Sequence, residues 1–212
     1  MISGVGEDWA RWHDRYDDPA SSLSARLEAV QGMICAALDD APPGPIRVVS
    51  LCAGDGRDLA GATADHPRRG DVDAVLVELD PALAARATAR LAEAGIAGRV
   101  VQADAGHTDA VAGAVPADVL LLCGIFGNVT DDDIRATIDA VPQLCAPGAT
   151  VLWTRHRRAP DVTPAIRGWF DGIGATARAF ASVGPGTFAV GAERFGGEPR
   201  PLRPARLFTF VR

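Results

Sequence analysis

The 212-residue sequence predicts a doubly wound α/β domain: a mostly parallel sheet with helices on both faces and an antiparallel last strand, preceded by an N-terminal helical cap. Three observations predict it. From residue 46 onward, apolar runs of strand length alternate with helix-length segments. Residues 48–59, VVSLCAGDGRDL, read as a buried strand, a small-residue turn and a helix start, the corner at which such sheets take ligands. Acidic residues and glycines also gather at the ends of the first four strands, where an open α/β sheet has its crevice.

The cap, residues 1–40, comes first. Residues 7–40 read as helical in two pieces parted by Asp17-Asp18-Pro19. The first piece, Glu7 to Arg15, is short and aromatic. Ser21 or Ser22 caps the second, whose Leu23, Leu27, Val30, Ile34 and Leu38 recur at helical spacing. Trp9, Trp12, His13 and Tyr16 supply either a docking face for the cap or a lid over the ligand corner.

The linker APPGP (41–45) ends the cap, and the first strand follows over Ile46–Leu51. A helix from Arg57 to Asp65 leads through HPRRGD to a second strand, Ala74–Leu79, closed by Asp80-Pro81. Proline suits the first turn of the next helix, Pro81 to Ala94, which Gly95 ends. The third strand, Arg99–Gln102, is followed by a helix over 108–114. Ala117 to Cys123 is the most apolar run and reads as a central buried strand. Thr130 or Asp131 caps a helix reaching Leu144, and Ala146-Pro147-Gly148 turns into a fifth strand, Thr150–Arg155. A helix over Thr163–Gly172 has Pro164 at its start. ATARAFAS, GTFAVGAERF and ARLFTFV then read as strand pieces, and the lack of a helix between the last two predicts that they pair antiparallel.

Composition bounds the function. Apolar residues make up 48% and charged residues 23%, the balance of an ordinary globular domain, and one domain over 1–212 is expected. No apolar run approaches the roughly 20 residues of a membrane span, and the charged, aromatic N-terminus lacks a signal-peptide core, so a cytoplasmic protein is expected. Cys35, Cys52, Cys123 and Cys145 are widely spaced, which argues against a metal site or a disulfide framework. Every basic residue other than histidine is arginine. Net charge is −6, with residues 151–212 carrying 10 Arg against 4 acids. That basic third is a conceivable nucleic-acid face, but its arginines are scattered, and binding to nucleic acid or membrane is not expected.

The corner itself discriminates between ligands. A dinucleotide site wants G-x-G-x-x-G, and here Leu59 stands at the third small position after Gly54 and Gly56. Glu78, 22 residues beyond Gly56 and at the end of the second strand, is placed to accept from ribose hydroxyls. In order, VVSLCAGDGRDL, VLVELDP, VVQADA and ADVLLLCGIFGNV resemble the class I S-adenosylmethionine-dependent methyltransferases over residues 46–155. The resemblance implies a Rossmann-like, seven-stranded sheet, with residues 156–212 giving a helix and antiparallel strands. The first motif of the family, D/E-x-G-x-G-x-G, here reads Ser50-Leu51-Cys52-Ala53-Gly54-Asp55-Gly56: serine replaces the acid and cysteine the first glycine. The acid usually organises the methionine end of the cofactor, and the carbonyls of Cys52 and Cys123, or Asp58, are the substitutes at hand. Glu78 matches the ribose-binding acid. Asp104 matches the residue that meets the adenine amino group, and the Ala105 N–H the one that meets the ring. Leu79 and Gly124 are expected beside the cofactor as well, and Tyr16 is expected to contact cofactor or substrate.

It implies methyl transfer from S-adenosylmethionine to a small molecule by in-line displacement, leaving S-adenosylhomocysteine. The chain contributes position and exclusion of water, and a base only for an acceptor that arrives protonated. His13, Asn128 and His156 are the weak catalytic candidates; His66 reads as a surface residue and His107 as a helix cap. The N/D-P-P-Y/F motif of base-modifying enzymes is absent, GIFGN standing in its place. The alternatives are a methyltransferase acting on RNA or protein, and a non-catalytic protein that binds an adenosyl ligand.

Overall fold

Ile46 and Val48 face one apolar layer and Val49 and Leu51 the other on β1 (Ile46–Leu51), all four buried. A strand with two buried faces needs helices on both sides, and the chain supplies them. The computed structural model describes Tyr16, Asp18 and residues 20–211. Its elements are α1 (Ser22–Asp40), β1, α2 (Arg57–Thr63), β2 (Val72–Glu78), α3 (Pro81–Glu93), β3 (Ala97–Gln102), β4 (Ala117–Leu122), α4 (Asp131–Asp139), α5 (Val141–Leu144), β5 (Cys145–His156), α6 (Thr163–Gly172), β6 (Ala175–Val183) and β7 (Phe188–Phe195).

The strands form one seven-stranded sheet in the order β3-β2-β1-β4-β5-β7-β6. β1 pairs parallel with β2 on one side and β4 on the other, so the chain reverses its direction of travel across the sheet beside β1. A crevice opens at that switch point, beyond the C-terminal strand ends. One face is covered by α1, α2 and α3 through Ile34, Leu38, Leu59, Ala87 and Leu91. The other is covered by α4, α5 and α6 through Ile134, Ile138, Leu144, Ile166 and Phe170. Among the described residues, no helix is long and apolar enough to cross a membrane.

Four details differ from expectation. The antiparallel pair is β6 with β7, and β7 in turn pairs antiparallel with β5; the ARLFTFV segment is not a strand. It runs instead as a strap, bridging to His107 through Arg206 and burying Leu207 and Phe208, and Val211 N–H donates to the Asn128 carbonyl. The helix expected over 108–114 is one 3-10 turn, Thr108–Val111. The helix expected to reach Leu144 breaks at Ala140, where Pro142 cannot donate in a continuous helix. On α1 the buried stripe takes Arg26 rather than Leu27, whose side chain is partly exposed.

Trp153 anchors the β5–β7 half. It is fully buried, packs on Phe126 and Phe170 with ring centroids 6.4 and 6.3 Å away, and sits opposite Gly191 on β7. A Cβ at Gly191 would lie 2.3–2.5 Å from the indole ring, so only glycine admits this tryptophan. Gly191→Ala is expected to lower unfolding free energy by about 1–3 kcal/mol in urea titration, through overpacking.

The indole Nε1–H donates to Glu193 Oε1 at 3.3 Å, and Glu193 is buried. Burial is the main force pushing its carboxyl pKa up, Asp171 adds to it, and the indole hydrogen bond and Arg167 oppose it. The folded state therefore holds this proton more tightly than the unfolded chain. The stability so gained is present below the unfolded pKa and is lost as pH rises through the folded value. Glu193→Gln keeps an acceptor for the indole and cannot ionise. Calorimetric melting should give the same midpoint for both proteins near about pH 4, and a midpoint increasingly higher for the variant toward about pH 8.

Candidate functional site

The turn after β1 is built from left-handed backbone. Cys52, Gly54 and Gly56 have φ of 54°, 58° and 72°. Cys52 occupies the position where the resembling family has its first glycine, and it keeps the glycine-like conformation at a cost on the order of 1 kcal/mol. Gly56 is needed for space as well, since a Cβ there would lie 3.0 Å from Leu76 and 3.5 Å from Ala87.

Glu78 holds this turn. Its Oε2 accepts from the Gly54 N–H at 2.7 Å and its Oε1 from the Asp80 N–H at 2.9 Å. Ala53 N–H donates to the Val77 carbonyl, and Ala103 N–H to that of Glu78, so three adjacent strand ends are tied together. Beside it Leu79 is 63% exposed, an apolar side chain standing at the crevice. Asp80 caps α3 by accepting from Ala82 and Leu83, with Pro81 in the first turn as expected.

Asp104 lies at the next strand end and is exposed. Its Oδ1 accepts from the Gly106 N–H at 2.8 Å and its Oδ2 faces Arg206 at 3.3 Å. Ala105 is buried beside it. Arg206 also meets His107 Nε2, so the strap reaches this end of the crevice.

Asp55 and Asp58 lie three residues apart and serve differently. The Asp55 carboxylate is 1% exposed and paired with Arg57 at 2.8 Å and Arg90 at 2.9 Å, behind the turn; its backbone is what remains for a ligand. Asp58, in the first turn of α2, accepts from Leu59 N–H at 2.8 Å and shares its surroundings with Tyr16, Arg26 and Cys123. Burial raises the carboxyl pKa of Asp58 and the phenol pKa of Tyr16. Burial likewise pushes the Cys52 and Cys123 thiols far above the usual thiol range, so both are protonated and poor nucleophiles. Ser50 lies within β1, 2% exposed.

The far half of the crevice is formed by the loop after β4 and by the end of β5. Gly124, with φ of 81°, donates its N–H to Thr154 Oγ1 at 2.9 Å. The Asn128 side-chain amide donates to the Gly124 carbonyl at 2.8 Å, closing the loop on itself. Gly127 lies against the His156 ring, and His156 pairs across the sheet with Phe188.

The structure thus brings together Cys52 to Gly56, Glu78, Leu79, Asp104 and Ala105 as one group. Tyr16, Asp58 and Cys123 form a second, and Gly124, Asn128 and His156 a third. His13 lies outside the described residues, as do Trp9 and Trp12. His66 is on the opposite edge, its Nδ1 accepting from the Arg68 N–H and its Nε2 3.3 Å from Asp39. Among the described residues, no three His, Cys, Asp or Glu side chains are grouped to hold a metal ion.

Sequence reasoning missed Arg26 and Phe188. Arg26 is 8% exposed, donates to the Tyr16 hydroxyl, and lies 5.0 Å from the Phe188 ring centroid. The available signal was an arginine three residues after Leu23 and four before Val30, on the apolar stripe of the cap helix.

No protein-family model and no curated protein matches the sequence. Solved structures do match. Magnesium protoporphyrin IX methyltransferase from Synechocystis, solved with bound SAM, aligns at TM-score 0.67 and 10% identity over 92% of this chain and 100% of that one. An O-methyltransferase family protein from Burkholderia thailandensis aligns at TM-score 0.64 and 17% identity over 81% of this chain; the match spans 55% of that longer protein. An RNA methyltransferase from Salinibacter ruber, in complex with S-adenosyl-L-homocysteine, aligns at TM-score 0.52 and 17% identity over 79% of this chain and 94% of that one. At such identities the likeness is one of fold. The chain has the Rossmann-like architecture shared by class I methyltransferases.

The Asp55 pairs are structural and buried on the carboxylate side. Asp55→Ala leaves two arginines without their shared anion, and a loss of about 3 kcal/mol in unfolding free energy is expected by urea titration.

Proposed function

We propose that the chain is an S-adenosylmethionine-dependent methyltransferase that acts on a small molecule, working as a single cytoplasmic domain. The observation that carries this reading is the Glu78 carboxylate, bonded to the Gly54 N–H of the glycine turn and placed at the strand end beside the exposed Leu79. Residues fit for an adenosyl group stand around it. A carboxylate is an acceptor-only group with several lone-pair sites, which suits Glu78 to ribose hydroxyls. Leu79 offers an apolar platform to a purine, and Asp104 with the Ala105 N–H offers an acceptor and a donor to its edge. Arg206 shares Asp104 at half-exposed side chains and can give way.

The cofactor supplies a methyl group on a positively charged sulfur. The chain's residues hold and orient the two reactants. The turn Cys52 to Gly56 presents backbone N–H groups, and Tyr16 with the cap closes the crevice beside Cys123 and excludes water. The acceptor crevice is bounded by Gly124 to Asn128, His156 and Phe188. His156, at the end of β5, is the residue assigned to take a proton from an acceptor that carries one; Asn128 shapes the loop.

A small acceptor is favoured over RNA by the partners of the C-terminal arginines. Arg155 donates to the Phe126 carbonyl, Arg157 pairs with Asp161 and Ser182, Arg178 with Asp40, and Arg206 with Asp104. Four of the ten arginines in residues 151–212 are so engaged with their own chain, which lowers the charge this third offers to phosphates.

Calorimetric titration with S-adenosylmethionine, S-adenosylhomocysteine and NAD tests the reading. Both sulfur ligands are expected to bind and NAD is not. Glu78→Ala should weaken the sulfur ligands by about 1–3 kcal/mol. Silence toward both sulfur ligands overturns the cofactor assignment, and salt-sensitive RNA binding overturns the small-molecule acceptor.

A further inference from the structure

The C-terminal strap passes the loop after β3 with its backbone pinned along its length. Thr108 N–H donates to the Ala205 carbonyl at 3.0 Å, and Leu207 N–H to the Gly106 carbonyl at 2.7 Å. Leu207 and Phe208 are buried, and the Phe208 and Phe210 rings stack with centroids 5.7 Å apart. Thr209 N–H reaches Asp133 Oδ2 at 3.3 Å, and Val211 N–H donates to the Asn128 carbonyl at 2.9 Å. Gly106 admits this approach, since a Cβ there would lie 2.4 Å from the Phe208 carbonyl oxygen. A strap held in this way cannot lift as a whole without exposing two apolar side chains and breaking these hydrogen bonds.

The Arg206 side chain is free of that constraint. It and the Asp104 side chain are each nearly half exposed, and its Nη2 faces Asp104 Oδ2 at 3.3 Å and meets His107 Nε2. Its Nη1 donates to the Phe208 carbonyl at 3.1 Å and lies 3.3 Å from Thr209 Oγ1, so the guanidinium is steadied by its own strap. The other Asp104 oxygen, Oδ1, accepts from the Gly106 N–H at 2.8 Å. Oδ2 is thus the oxygen turned toward the arginine. A guanidinium only donates, and so does the exocyclic amino group of adenine. Neither gives the other an acceptor, so the two compete for one oxygen. An ion pair this exposed is weak, and a ligand held by further contacts can displace it.

We propose that Arg206 is an autoinhibitory side chain: from a fixed strap it occupies the acceptor that the cofactor's nucleobase needs, and the exocyclic amino group binds by displacing it. This inference rests on the cofactor reading above. Displacement takes only a rotation of the Arg206 side chain, while the strap keeps its bonds to Gly106 and Asn128. The cofactor gains Asp104 only against the existing contact, so its affinity is lower than the other residues of the site would give. Salt screens the pair and therefore favours the ligand. The effect is confined to ligands that carry the amino group. A purine with hydrogen at that position offers nothing to Asp104 and leaves the pair closed.

The test titrates wild type and Arg206→Met with S-adenosylhomocysteine and with its analogue bearing hydrogen in place of the exocyclic amino group. Arg206→Met should tighten S-adenosylhomocysteine about 3- to 5-fold and leave the analogue within about 1.5-fold. Unchanged or weaker binding of S-adenosylhomocysteine by the variant overturns the proposal, and so does an equal gain for both ligands. A second measurement needs only the wild type and decides the matter where the variant fails to fold. The two ligands share their amino-acid tail, so the ratio of their affinities isolates the base. Raising NaCl from about 50 to about 500 mM should shift that ratio about twofold toward S-adenosylhomocysteine. A ratio that stays constant or moves the other way overturns the proposal. If wild type binds neither ligand, the cofactor reading itself has failed, a result distinct from all of these.

Discussion

The crevice depends on the hydrogen bonds of one carboxylate. Glu78 ends β2 with its side chain bent toward the turn of β1, where it accepts from Gly54, and its second oxygen accepts from Asp80 at the entry to α3. A carboxylate buried this far needs donors around it, and backbone N–H groups supply them here. The consequence is geometric. The turn after β1 cannot shift without breaking a charge-assisted bond, and the Glu78 carbonyl fixes the start of the loop after β3 through Ala103. Three strand ends, Leu51, Glu78 and Gln102, spread over some 50 residues of chain, form one rigid rim.

The other half of the crevice is held by side chains. Trp153 fills the space between β5, β7 and the helices of one face, and Gly191 makes room for it. Its neighbour Thr154 takes the N–H of Gly124, so the packing of one tryptophan sets the height of the loop after β4. Above that loop, Tyr16, Arg26, Phe188 and His156 come from the cap, the end of β5 and the start of β7. A backbone rim on one side and a side-chain wall on the other divide the work of holding the crevice.

That division also explains what could be read before the structure. The first turn, Glu78 and Asp104 were legible because each follows an apolar strand within a few residues, and strand ends in an open sheet share a known direction. Arg26 was not legible as a buried residue, because helical spacing admits either it or Leu27 on the stripe, and one residue is a rotation of about 100°. Asp55 could be assigned to the ligand face until Arg90, 35 residues away, was seen beneath it. The pairing of β6 with β7 was missed because three strand-like pieces offered two antiparallel pairs. The third, ARLFTFV, satisfies its backbone by bonding to the loop around Gly106 and to Asn128 instead.

An open sheet of seven strands has two edges, and β6 is one of them. Its pairing with β7 shifts register between Ala177 and Ala179, and Arg178 at that irregularity reaches across to Asp40 on α1. Phe180, 40% exposed on the same strand, lies beneath the Arg167 guanidinium at 5.3 Å. A flat edge with a free row of N–H and C=O groups invites another strand to add to it. Here the bulge interrupts the row, one arginine is drawn over the edge and another masks its aromatic ring. The device that joins the last hairpin to the cap thus also blunts this edge against strand-to-strand aggregation.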